Sequence, residues 1–112
     1  MAIAYSILGQ SAPSTTTATD LFTVVTAHSY VVATLVIANT TSTYATATVY
    51  ARKSGAAAAT TNAIAYNVQI PGNSTVPFTL GITLNGTNGD TLTVQTGTAN
   101  ALTFTAFGSD NS

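Results

Sequence analysis

Between Thr75 and Leu84 every second residue is apolar: Val76, Phe78, Leu80, Ile82 and Leu84 alternate with Thr75, Pro77, Thr79, Gly81 and Thr83. Only an extended strand returns a side chain to the same face every two residues, so this run predicts a β-strand with one face in a core. Pro77 cannot donate to a ladder and therefore marks an edge or a bulge. The same period recurs along the chain. Ser29–Asn39 sets Val31, Ala33, Leu35 and Ile37 toward a core, and Tyr44–Arg52 divides Ala45, Ala47, Val49 and Ala51 from Tyr44, Thr46, Thr48 and Tyr50. Ala63–Ile70 groups Ile64, Tyr66, Val68 and Ile70 on one face, Thr91–Thr96 turns Leu92 and Val94 inward, and Ala101–Phe107 alternates Leu102 and Phe104 with Thr103 and Thr105. Ala2–Leu8 and Leu21–Thr26 complete the set as shorter strands. Phe78, Leu80, Ile82, Leu92, Val94, Leu102 and Phe104 are the expected core.

Turn-forming residues interrupt these strands at short intervals. Gln10–Thr19, with Pro13 in a run of Ser and Thr, is expected as a loop or extended arm. Ala27-His28 links two strands as a hairpin, and Asn39–Thr43 and Pro71-Gly72-Asn73 are turns. The two Asn-Gly pairs in Asn85–Asp90 suit a tight hairpin. Lys53–Thr61 contains Gly55 and Ala56–Ala59; four alanines are too few for a stable helix, so a loop with at most one helical turn is expected there. Gly97–Asn100 is a loop and Gly108–Ser112 a polar tail. The reading is one all-β domain over residues 1–112, an antiparallel β-sandwich of seven or eight strands, immunoglobulin-like or jelly-roll, with less than about a tenth helix.

Charge sets the second constraint. Only 4% of the 112 residues are Asp, Glu, Lys or Arg, where an ordinary domain has about a quarter. With 46% apolar residues the chain is not of disordered composition, so its surface must be Thr, Ser, Asn and Ala. Such a surface offers little repulsion to another copy of itself, which favours a homo-oligomer, a dimer or trimer, or packing into a protein lattice. Nucleic acid is not an expected partner, because Arg52 and Lys53 alone cannot neutralise a useful number of phosphates. Met1–Tyr5 carries no positive charge and no apolar run approaches 18 residues, so neither a signal peptide nor a membrane span is expected. There is no cysteine, hence no disulfide and no thiolate metal site.

No catalytic, cofactor-binding or metal-binding residues are assigned. His28 is the single histidine, expected in an exposed turn without the Cys or Glu partners a metal or acid–base site would need. Asp20, Asp90 and Asp110 are explained as turn or strand-end residues, and no Ser lies in a G-x-S-x-G setting. Asn39-Thr40-Thr41, Asn73-Ser74-Thr75 and Asn85-Gly86-Thr87 match the glycosylation pattern, as a Thr- and Asn-rich chain does by chance. Tyr5, Tyr30, Tyr44, Tyr50 and Tyr66 are the interface candidates, each pairing apolar area with a polar tip, although each also suits a half-buried sheet position.

Several phrases add a resemblance across nearly the whole chain. Ile7-Leu8-Gly9-Gln10-Ser11-Ala12-Pro13, Ile64-Ala65-Tyr66, Leu80-Gly81-Ile82-Thr83-Leu84 and Leu102-Thr103-Phe104-Thr105-Ala106-Phe107-Gly108-Ser109 resemble small β-sandwich virion proteins of tailed bacteriophages, including phages of cyanobacteria. The segment Ala51–Gly55 and the alanines after it depart from that pattern. The resemblance implies a non-enzymatic virion component assembled in the host cytoplasm, with the major capsid protein or tail proteins as partners. A capsid decoration, or cement, protein is the first expectation, and a tail, baseplate or fibre-attachment component the second. From another class, a carbohydrate-binding or adhesin module would stack tyrosine on sugar; the lack of tryptophan and glutamate weighs against it.

Overall fold

The computed structural model of the chain describes residues 3–112, so the expected strand start at Ala2 lies outside the described residues. Eight strands follow in order: β1 (Ile3–Ser11), β2 (Thr19–Thr23), β3 (Ser29–Asn39), β4 (Ala45–Arg52), β5 (Ala63–Ile70), β6 (Thr75–Asn85), β7 (Thr91–Thr96) and β8 (Leu102–Asn111). Strands take 62% of the residues, and the only helical pieces among them are two 3-10 turns, Lys53–Gly55 and Thr60–Asn62.

The strands form two four-stranded sheets, β1-β8-β3-β6 and β2-β7-β4-β5, antiparallel throughout. Strand 1 pairs with 8, 2 with 7, 3 with 6 and 4 with 5, so the chain is a long antiparallel ribbon rolled up with successive pairs in alternate sheets. This is the jelly roll, and it decides against the immunoglobulin-like alternative. Among consecutive strands only β4 and β5 pair directly. The two hairpins expected at Ala27-His28 and Asn85–Asp90 are therefore corrected: each of these turns carries the chain from one sheet to the other. They support one another at the same end of the sandwich, where the Gly86 N–H donates to the His28 carbonyl at 2.8 Å and the His28 N–H to the Val25 carbonyl at 3.0 Å. A Cβ on Gly86 would collide with the Val25 carbonyl.

Between the sheets lie Val32, Leu35 and Ile37 of β3, Leu102, Phe104 and Ala106 of β8, Leu92 and Val94 of β7, and Ile70 of β5. On β4 the alanine face, Ala45, Ala47 and Val49, is the inner one. β4 is a central strand, and its small side chains leave room for large ones such as Phe104 and Leu35 in the same buried cluster. Val76, Phe78, Leu80 and Ile82 pack on this core but stay partly exposed, because β6 is an outer strand.

Two bulges overturn expected faces. In β3 the pairing shifts between Val32, opposite Ile82, and Thr34, opposite Thr79. Ala33 is thus exposed and Val32, not Val31, points inward. In β5, Asn67 adopts a left-handed conformation (φ 48°), so two residues, Tyr66 and Asn67, stand where the ladder has one. Ala65, Val68 and Ile70 then face the core, while Ile64 and Tyr66 turn outward. The expected polar tail also pairs: Gly108–Asn111 continue β8 between β1 and β3. Gln10 and Ser11 belong to β1, and the segment 12–18 is held down by a buried Pro13, whose carbonyl accepts the Asn100 N–H at 3.0 Å.

Candidate assembly interface

Two sheets of four strands expose four edges, and three of them are blunted. β6 carries Pro77 and a left-handed Gly81 (φ 64°). β5 is broken by the Asn67 bulge, which is capped locally: the Asn67 N–H donates to Thr48 Oγ1 at 3.1 Å, and that hydroxyl donates to Asn67 Oδ1 at 3.3 Å. β2 has five residues and a register shift within them. Proline, bulges and brevity are the usual devices against edge-to-edge pairing.

β1 uses them least. It is nine residues long, contains no proline and no charged side chain, and its one irregularity falls at Leu8, between Ile7 and Gly9. At Gly9 the strand comes so close to β2 that an added Cβ would sit 2.7 Å from the Leu21 carbonyl oxygen, so the two sheets nearly close there. Ile3–Ile7 diverges as a regular open edge. Its outward side chains are apolar: Ile3, Tyr5 and Ile7 are 58%, 86% and 53% exposed, and Phe107 of β8 lies beside Ile7. The row is uncharged, apolar and attached to unpaired backbone donors and acceptors, which is what strand addition requires.

The other candidate residues separate. Tyr30 is a core residue, its ring 5.4 Å from that of Phe22, and Tyr50 is buried with its hydroxyl donating to Gln95 Oε1 at 2.9 Å. Tyr5, Tyr44 and Tyr66 are exposed on different parts of the surface. His28 is not in an exposed turn: it is half-buried, with Nδ1 2.6 Å from Asp110 Oδ1. Asp20 accepts from Arg52 at 2.8 Å and from Thr93 Oγ1 at 2.9 Å, so one of the two cationic side chains in the sequence is already paired. Asp90 is buried and bridges two loops, accepting the Ser54 N–H at 3.1 Å and the Asn85 N–H at 3.0 Å. Asn39 of the first glycosylation match is buried, with its amide donating to the Thr43 and Ile70 carbonyls and its oxygen accepting from Thr41. Among the described residues no buried side-chain nitrogen or oxygen lacks a partner, no three His, Cys, Asp or Glu side chains form a group that could hold a metal ion, and no helix is long and apolar enough to cross a membrane.

The molecule is thus an eight-stranded jelly roll with one open, apolar edge. No protein-family profile and no curated protein matches it. Among solved structures, it is similar to a chain of the infectious bursal disease virus Gx strain, with a TM-score of 0.51 at 16% identity, over 97% of this chain and 31% of that one. A chain of the T=1 particles derived from infectious bursal virus gives 0.48 at 14% identity, over 97% and 30%. One from the VP2 subviral particle of infectious bursal disease virus gives 0.46 at 17%, over 97% and 31%. The present chain spans 31% of the length of the first of these. At such identity the likeness is one of fold, and a fold of itself hosts many functions.

Proposed function

We propose that the chain is a structural subunit of a virion and joins its neighbours by strand addition at Ile3–Ile7 of β1. The open β1 edge with its outward Ile3, Tyr5 and Ile7 carries this reading. Jelly rolls build many viral capsid domains, and the fold likeness to a chain of the infectious bursal disease virus structure supports the virion setting. The finer form of the proposal is a decoration, or cement, protein of a tailed-phage capsid, in line with the resemblance of its phrases to small virion proteins of those phages. Its partners are then the shell protein and further copies of this chain, and its action is small buried areas repeated over many copies.

A second copy placed antiparallel along β1 brings Ile3, Tyr5 and Ile7 of both chains onto one continuous face, with each Phe107 flanking it. Sedimentation velocity at about 10 µM tests this, an affinity range in which a specific contact is populated. A dimer, or uptake by shells lacking the protein, is expected; a strict monomer that no shell or tail takes up would overturn the subunit reading, and a trimer would place the self-contact elsewhere than on paired β1 edges. Copies per purified virion test the finer form. A number comparable with the shell protein is expected, and retention of only a few copies on isolated tails would overturn decoration.

A further inference from the structure

The outer face of the second sheet is shaped differently from the β1 edge. β4 and β7 lie side by side there with Thr48 opposite Gln95 and Tyr50 opposite Thr93. Along one side runs the segment 12–18, held by Gln95 Nε2 donating to the Thr16 carbonyl at 2.9 Å. On the other side the Asn67 bulge turns Tyr66 outward, 58% exposed. Between these walls is a depression of about 350 Å³, lined by Thr16, Thr46, Thr48, Tyr50, Tyr66 and Gln95 among others. That volume is at the small end of ligand pockets, which run from roughly 300 to 1,000 Å³.

We infer that this depression is a binding site for a neutral mono- or disaccharide. Its lining offers hydroxyls and amides but no Asp, Glu, Lys, Arg or His, so it matches neither a phosphate nor a carboxylate ligand. It is too polar for a lipid chain. Backbone strand addition does not suit it, because β4 and β7 on its floor are each already paired on both sides and the Asn67 bulge interrupts the β5 edge at its wall. A saccharide suits what remains: it is an uncharged ligand with many hydroxyls and an apolar C–H face. Tyr50 donates to Gln95 Oε1 and Gln95 donates to Thr16, which fixes both side chains and leaves the tyrosine oxygen's lone pairs and the second amide N–H of Gln95 for sugar hydroxyls. The Tyr66 ring on the rim supplies the flat apolar surface for the C–H face. The site is independent of β1 and stands whether or not the chain is a virion subunit.

Saturation-transfer NMR with maltose, cellobiose, mannobiose and chitobiose, each at about 10 mM, tests the inference at the weak affinities expected of a shallow site. At least one should give transfer to its ring protons, and should shift the amides of Thr48, Gln95 and Gly97 but not those of Ile3–Ile7. Tyr66→Ala should weaken binding about tenfold, whereas Tyr5→Ala should leave it unchanged. Silence with all four sugars would overturn the site, as would shifts confined to another surface. A sulfated sugar binding as well as its neutral counterpart would overturn the neutral specificity. Shifts of the same amides on raising the protein concentration without sugar would mean that a second copy sits there, which also overturns the proposal.

Discussion

Ile7 on β1 stands directly opposite Phe107 on β8, and both side chains leave the sandwich on its outer side, 53% and 39% exposed. Replacing Ile7 by lysine puts a charge on the open edge without touching the core. The expected outcome for Ile7→Lys is at least about tenfold weaker self-association by sedimentation, with folding stability within about 0.5 kcal/mol of the parent. Unchanged association would show that the chain meets its partners elsewhere.

That contact would rest on backbone pairing and apolar area, and β1 carries no charge of its own. Its strength should therefore change less than about threefold between low and moderate salt. Dissociation on adding salt, followed by the same sedimentation measurement, would point to ion pairs instead.

Core truncations should rank by depth. Leu35 is fully buried on a central strand, whereas Leu80 is partly exposed on the outer strand β6. Leu35→Ala is expected to cost about 2–5 kcal/mol in urea unfolding. Leu80→Ala should cost about 1–2, since part of its area stays in water in the folded chain. The reverse order would mean that β6 is covered in solution.

Asp90 ties the loop after β4 to the turn between β6 and β7 through two backbone N–H groups. Asp90→Ala removes both acceptors from a buried site and should destabilise the fold by about 2–3 kcal/mol. Asp90→Asn keeps one acceptor oxygen and should lose less. Equal losses by chemical denaturation would argue that only one of the two contacts matters.

Alternation located the strands well: Ser29–Asn39 and Ala63–Ile70 were legible to the residue, and Thr75–Leu84 to within one. It also assigned Leu92, Val94, Leu102 and Phe104 to the interior. Pairing was not legible, because period two tells which side chains face a core but not which strand lies alongside. Asn85–Asp90 thus read as a hairpin, although β6 and β7 lie in opposite sheets. The inverted outer half of β5 came from Asn67 alone; asparagine tolerates positive φ, and that preference was the one local hint of a bulge. The polar depression on the second sheet left no trace in the sequence, since Thr16, Thr48, Tyr66 and Gln95 meet only through register and loop packing. The open β1 edge was half legible: the scarcity of charge predicted self-association, and the fold shows which edge is long, apolar and regular over Ile3–Ile7.

β8 lies between β1 and β3, so the first sheet cannot be completed before the last of its own strands has been made. Until residues 102–111 leave the ribosome, β1 has neither its ladder partner nor the Phe104 and Ala106 side of the core. Nearly every pairing joins residues far apart in sequence, which makes for slow, all-or-none folding once β8 has emerged. During that interval Ile3–Ile7 is a bare apolar strand, exposed on both sides to other nascent copies. The order of strands along the chain therefore puts its greatest hazard of misassociation before folding, on the same residues that we propose serve assembly afterwards.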